Sequence, residues 1–144
     1  FVKEAAKLVP KPEGAEFPYW SFMNLYSLDQ SAGTRTLTLC VPRNEAVFFD
    51  MYDWNKILCL KYLGEDEADE LAFQAYLKQR GVREMDAVLT DFYPELKQKI
   101  MGSWPRLFRH HEQIRAGEES GAKSVQAALW QIKKEWIVTE TAGE

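Results

Sequence analysis

The clearest alternation of apolar and polar residues runs from Thr36 to Val41 and predicts a strand with one apolar face. The aromatic segment Tyr19–Tyr26 follows a proline and favours a second strand. Asp, Ser and Gly residues cluster in the intervening segment Leu28–Thr34 and predict a turn. We therefore expect the two strands to pair as a hairpin.

Apolar residues at helical spacing predict several amphipathic helices, with prolines and glycines at their ends. A short third strand is predicted over Ala46–Phe49, after Pro42. The predicted helices are Phe1–Val9, one capped by Asp50 or Asp53 and running to Tyr62, Glu67–Arg80, Glu84–Leu89, Pro94–Met101, and a new helical turn over Trp104–His111. Gly64 and Gly81 are the predicted helix stops.

The segment Ser124–Val138 fits both periods: its apolar residues suit a helix capped by Ser124 or a strand from Gln126 to Ile132. The polar tail Thr139–Glu144 is expected to be frayed. Together these elements predict an α+β fold, a small antiparallel sheet packed against several amphipathic helices, in one domain over residues 1–144. Because the chain starts at Phe1 without Met, inside a helical pattern, we expect upstream residues to be missing.

Composition narrows the function classes. The 144 residues carry a net charge of −4, which argues against a protein that coats nucleic acid non-specifically. Cys40 and Cys59 lack metal-ligand spacing and are predicted to be small buried side chains in a reducing compartment. With no apolar run long enough to span a bilayer, we predict a cytoplasmic protein with no membrane partner.

Candidate catalytic groups are sparse. Asp50 and Asp53 can bind a divalent metal or act as an acid–base pair, but helix capping is the favoured interpretation. His110 and His111 have no zinc-site spacing and no positioned nucleophile, and we predict that both lie at the surface. The chain also lacks a phosphate-binding glycine loop. We therefore predict no catalytic residue, no metal ligand and no cofactor.

Charge is distributed unevenly along the chain, and its densest acidic stretch lies near the middle. It consists of Glu65, Asp66, Glu67, Asp69 and Glu70. These carboxylates can occupy a basic cleft on a partner protein, or they can form a solubilising face at a helix start.

The segment Lys97–Arg115 is basic and interleaved with rings. Its candidate contact residues are Lys97, Lys99, Trp104, Arg106, Phe108, Arg109, His110, His111 and Arg115. Such a pattern can hold a phosphate backbone and stack a base. The favoured alternative is a solvated helix face whose rings enter the core.

Four stretches together resemble a bacterial family known as domain of unknown function 3841. They are Glu16–Phe22, Leu39–Leu58, Lys99–Phe108 and Val125–Ile137. The resemblance favours a strand over Gln126–Ile132 and implies an extra strand and helix upstream. It supplies no catalytic residue.

Two stretches, Val47–Leu58 and Ser124–Val138, are also similar to type II-A anti-CRISPR proteins, which are Cas9 inhibitors carried by mobile genetic elements of gut bacteria. This likeness implies a protein that binds the Cas9–guide RNA complex and blocks DNA engagement or cleavage.

Three hypotheses follow. The first is a non-enzymatic inhibitor or regulator that binds a protein or ribonucleoprotein partner. The second is an enzyme acting on nucleotides or nucleic acid through Asp50, Asp53 and a histidine. The third is a nucleic-acid-binding module built on Lys97–Arg115. We favour the first because no catalytic set is present and the charge is polarised.

Overall fold

A computed structural model describes residues 1–142. The α-helices are α1 (Val2–Leu8), α2 (Met51–Leu58), α3 (Glu67–Arg80), α4 (Glu84–Leu89), α5 (Pro94–Ser103) and α6 (His111–Ala116). The strands are β1 (Tyr19–Phe22), β2 (Arg35–Leu39), β3 (Ala46–Asp50), β4 (Val125–Leu129) and β5 (Ile137–Ala142). All strand pairs are antiparallel, and the predicted α+β class is confirmed.

The strands form two separate sheets. One has three strands in the order β1-β4-β3, and the other is a ribbon of β2 and β5. The predicted hairpin between β1 and β2 is therefore wrong. Because β4 is buried on both faces, it takes the centre of the larger sheet and pairs with β1, whereas the half-polar β2 suits an exposed ribbon.

The ambiguous segment after Ser124 begins as a strand, and residues 126–129 are buried on both faces of the sheet. Burial on both faces explains why periodicity alone could not decide between a strand and a helix. The prediction of a frayed tail is wrong for Thr139–Ala142, which lie in β5 and pair with β2. Gly143 and Glu144 lie outside the described residues.

Each face of the larger sheet packs against other elements. One face contacts α1, α2 and the 3-10 helix Trp104–Phe108, and the opposite face contacts Leu39, Val41 and Ile114. Aromatic rings dominate the first face: the ring of Phe1 lies 4.8 to 5.4 Å from four others, those of Trp20, Phe49, Trp54 and Phe108. Part of the high aromatic content thus serves as core packing.

A second core joins α3, α4 and α5, which we call the helical lobe. Its buried side chains come from these helices and from Tyr62 and Val82. The predicted bounds of α3 and α4 are confirmed. Asp66 caps the start of α3, and Gly81 ends it in the left-handed conformation.

The predicted bounds of α2 are only partly correct. Asp50 caps α2 as expected, but the helix stops at Leu58 instead of reaching Tyr62. The helix ends because Leu60 takes the left-handed conformation and the Lys61 amide donates to the carbonyl of Lys56, which closes the last turn. Beyond it, the amides of Tyr62 and Leu63 donate to side chains of Glu84 and Ser103.

Both cysteines are exposed, so the prediction of buried thiols is wrong. Cys40 directly follows the exposed ribbon strand β2, and Cys59 lies at the C-terminal cap of α2. Within the described part of the chain, no helix is both long and apolar enough to cross a membrane.

Candidate partner-binding groove

The acidic and basic segments predicted from the sequence lie against each other. Arg106 Nη2 lies 3.2 Å from Glu65 Oε1, and Arg109 Nη2 lies 2.8 Å from Asp53 Oδ2. The Asp53 carboxylate is buried and the guanidinium of Arg109 is largely covered. The charge polarity seen along the sequence is therefore partly neutralised inside the fold.

These two arginines also hold the loop Leu60–Asp66, which we call the clamped loop. Arg106 Nη1 donates to the carbonyl of Leu63 at 2.9 Å, and Arg109 Nη1 donates to that of Gly64 at 2.8 Å. From the other side, the Leu63 amide donates to Ser103 Oγ at 2.9 Å. Side chains of α5 and of the turn after it thus satisfy the backbone of a loop between α2 and α3.

Most of the acidic stretch has structural partners. Asp69 Oδ2 accepts from the Glu65 amide and from the Tyr62 hydroxyl, and these bonds hold the pKa of Asp69 below its ordinary value. Asp66 caps α3, and Glu70 binds Lys56 at 2.8 Å. Glu67 is exposed, with no hydrogen bond or ion pair in the described part of the chain.

The rings of the basic segment point inward. Trp104 Nε1 donates to the carbonyl of Lys61 at 2.9 Å, and Phe108 packs in the aromatic cluster around Phe1. Lys97 binds Asp91, and Arg115 binds Glu112. This arrangement agrees with the interpretation that the rings enter the core.

Asp50 and Asp53 have structural contacts. Asp50 accepts from the amides of Tyr52 at 2.9 Å and Lys123 at 2.7 Å, so both of its oxygens bind backbone. Asp53 binds Arg109 and lies 3.8 Å from Lys56. Among residues 1–142, no three histidine, cysteine or carboxylate side chains are grouped as a metal site would require.

The prediction of a surface position is wrong for His111, which is 1% exposed. Its Nδ1 accepts from the Phe48 amide at 3.0 Å, on the side of β3 that faces away from β4. The buried Nε2 has no hydrogen-bond partner among the described residues. His111 thus covers the outer edge of β3, whereas His110 is half-buried and packs near Gly121.

A groove runs between α3 and α5 and brings the two charged segments to its opposite walls. It measures about 380 Å³, and its lining residues are Asp69, Ala72, Phe73, Tyr76, Glu95, Leu96 and Lys99. A hollow of about 250 Å³ continues it past Arg80, Phe92, Tyr93 and Pro94 and shares Glu95 and Leu96 with it.

Two cations of the groove lie over aromatic rings. Lys99 Nζ is 4.9 Å from the centre of the Phe73 ring, and the Arg80 guanidinium is 5.1 Å from that of Tyr76. Neither cation has a carboxylate within ion-pair distance in residues 1–142. The groove and the adjoining hollow therefore offer the exposed ring of Tyr76, the cations Lys99 and Arg80, and the acids Asp69 and Glu95, whereas the Phe73 ring is buried.

Of the predicted contact residues, the groove includes Asp69 and Lys99 only. Sequence reasoning missed Tyr76, Glu95 and Arg80. Tyr76 is at helical spacing with Phe73, yet it is exposed at the groove whereas Phe73 is buried. No sequence signal places Glu95 there, because its position depends on how α5 packs on α3.

The comparisons with known proteins identify a family. The family described as "Domain of unknown function (DUF3841)" matches residues 1–138. The chain belongs to this family. No curated protein and no solved structure matches the chain.

The buried histidine predicts a pH-dependent stability. Burial lowers the pKa of His111 below its ordinary value near 6.5. In the unfolded chain this histidine binds a proton as the pH falls below about 6.5, while the folded chain resists it. Stability should therefore be complete above about pH 6.5 and fall as the pH drops. The charged groups facing the ring are Glu112 and Arg115.

Urea unfolding at a series of pH values checks this prediction. The His111→Asn variant should be less stable at pH 7, by about 1–3 kcal/mol for the lost buried bond, and its stability should change less between pH 7 and 5. The matched variant His110→Asn should keep the wild-type slope. A slope unchanged in His111→Asn would contradict the prediction.

Proposed function

We propose that the chain is a non-enzymatic regulator that binds a segment of a partner protein in the groove between α3 and α5. The observation that carries this proposal is the groove itself, with the exposed ring of Tyr76 and two nearby cations that have no internal carboxylate partner. A helix or peptide of a partner can place an apolar side chain against Tyr76, above Phe73 and Leu96, which are buried beneath the groove.

The other candidate groups already have partners within the fold, which supports the groove as the binding site. Arg106 and Arg109, the strongest cations of the basic segment, are held by carboxylates and backbone carbonyls. A nucleic-acid interface needs free cations facing solvent. Asp50 and Asp53 likewise hold backbone and Arg109. By contrast, Lys99 and Arg80 can form ion pairs with a partner without breaking an internal one.

The charge of the groove favours a partner segment that carries both signs. Lys99 and Arg80 offer sites for carboxylates, and Glu95 offers a site for a lysine or arginine of the partner. Such pairs at the rim of an apolar contact select the partner and its orientation more than they add affinity.

Photo-crosslinking in the native host tests this proposal. Tyr76 is replaced by p-benzoyl-phenylalanine, and Tyr52 serves as the matched control because it is a similarly exposed tyrosine on α2. We expect the Tyr76 position, and not the Tyr52 position, to crosslink to one discrete protein. Lys99→Glu should weaken that crosslink, whereas Lys78→Glu, an exposed change outside the groove, should not.

Two results would count against the groove as a binding site. The first is the absence of any discrete crosslinked protein from the Tyr76 position. The second is the same crosslinked species from both tyrosine positions, which would indicate a contact unrelated to the groove.

The narrower proposal is that the partner is a Cas9–guide RNA complex. It rests on the likeness of Val47–Leu58 and Ser124–Val138 to anti-CRISPR proteins. These segments form β3, α2 and β4, so the likeness concerns mainly buried scaffold. The partner identity therefore needs a direct assay.

A cleavage assay with purified Cas9–guide RNA complex and target DNA provides it. If the narrower proposal holds, the protein inhibits cleavage, Lys99→Glu relieves the inhibition and Lys78→Glu does not. Undiminished cleavage at large molar excess of the protein would reject a Cas9 partner while leaving the groove open to the crosslinking test.

A further inference from the structure

The two edges of the three-stranded sheet differ in whether their outward-pointing backbone groups have hydrogen-bond partners. At the β3 edge, the amide of Phe48 donates to the buried His111. At the β1 edge, the pairing with β4 directs the backbone groups of Tyr19 and Ser21 inward, because the amide of Met23 donates to Val125 in the same ladder. The backbone groups of Trp20 and Phe22 therefore point outward, and they have no hydrogen bond to another part of residues 1–142.

Side chains along this open edge are apolar and exposed. The exposed fractions are Phe17 74%, Tyr19 55%, Trp20 43%, Met23 63%, Leu25 62% and Tyr26 99%. We call these six residues the edge strip. No charged residue occurs between Phe17 and Leu28, so contact at the strip would desolvate no charge. Exposed edge strands are often protected from pairing by charges, bulges, proline or short length; β1 is short and follows Pro18, but it carries no charge and no bulge.

We propose that β1 pairs antiparallel with β1 of a second copy of this chain, around a two-fold axis beside Ser21. In that register, Trp20 lies opposite Phe22 of the second copy, and these are the two residues whose backbone groups point outward. Each strand therefore supplies donors and acceptors that the other can satisfy. The same axis places Tyr19 opposite Met23, so that apolar side chains meet on one face.

The area of the edge strip fits a dimer. At about 200 Å² for a whole aromatic side chain, the exposed parts of the strip amount to roughly 700 Å² per copy. If the strip were covered completely, two copies would bury at most roughly 1,400 Å², which reaches the range of about 1,200–2,000 Å² found for stable specific interfaces. The self-complementary register favours a second copy over an unrelated strand, since a two-fold interface requires that one surface match itself.

A charge-pairing experiment tests both the dimer and its register. The variant Tyr19→Lys with Met23→Lys places lysines opposite each other across the axis, whereas Tyr19→Lys with Met23→Glu places a lysine opposite a glutamate. Both positions are exposed, so neither variant should disturb the core. Sedimentation velocity over a dilution series measures the dimer dissociation constant of each.

We expect the wild type to dimerise, and the Lys–Lys variant to dissociate at least about tenfold more readily because like charges directly opposite repel. The Lys–Glu variant should recover most of the loss, and high salt should reduce this recovery. Leu71→Lys with Leu89→Lys, two exposed changes on the helical lobe, should leave the dimer unchanged.

A wild type that stays monomeric at all concentrations would overturn the proposal, and is the result expected if a strand upstream of Phe1 pairs with β1 instead. Equal dissociation of the two charge variants would also overturn it. The result is separable from the groove proposal. Charge variants of the edge strip should keep the Tyr76 crosslink, and Lys99→Glu should keep the dimer.

Discussion

The rest of the structure depends on the clamp that Arg106 and Arg109 place on the loop between α2 and α3. Two carbonyls of the loop accept hydrogen bonds from the guanidinium groups, and two of its amides donate to the side chains of Glu84 and Ser103. Gly64 is needed at this point because a Cβ there would lie 2.5 Å from the Glu70 side chain. The clamp fixes the helical lobe against the sheet, and with it the geometry of the groove.

This clamp also changes the meaning of the charge pattern. Acids and bases that are separated in sequence form one internal network, in which a buried Asp53 is compensated by Arg109. Removing one partner of such a pair costs about 3–5 kcal/mol, because the other charge stays buried without compensation. Two surfaces therefore stay available for binding: the groove, where cations lack carboxylate partners, and the edge strip, where aromatic rings are exposed.

Local sequence signals predicted the local elements well. Gly81 marked the end of α3, and Asp50, one of two candidate caps, marked the start of α2, because capping chemistry is local. Strand pairing was not predictable in the same way, since β1 and β2 both lie far in sequence from their true partners β4 and β5. The burial of His111 also depends on a distant strand, and nothing beside it in sequence indicates that Phe48 would donate to it.

The candidate site shows the same division. Asp69 and Lys99 were identified from charge density alone, but their convergence on one groove arises from the packing of α3 against α5. Arg106 and Arg109 were also identified, yet their role as loop anchors was invisible because their acceptors are backbone carbonyls. The pattern of side chains along a sequence does not indicate which backbone carbonyl will accept a hydrogen bond.

Native-state hydrogen exchange at the amides of Tyr62 and Leu63 tests the clamp most directly. In the wild type these amides should be protected about as strongly as those of β4. In Arg109→Ala their protection should fall by about a hundredfold or more, as the loss of a partner for buried Asp53 requires, while β4 keeps more of its protection. Arg83→Ala removes one partner of an exposed ion pair with Asp86, and it should leave the protection of the Tyr62 and Leu63 amides almost unchanged. Rapid exchange of Tyr62 and Leu63 in the wild type, or protection unchanged in Arg109→Ala, would contradict the account.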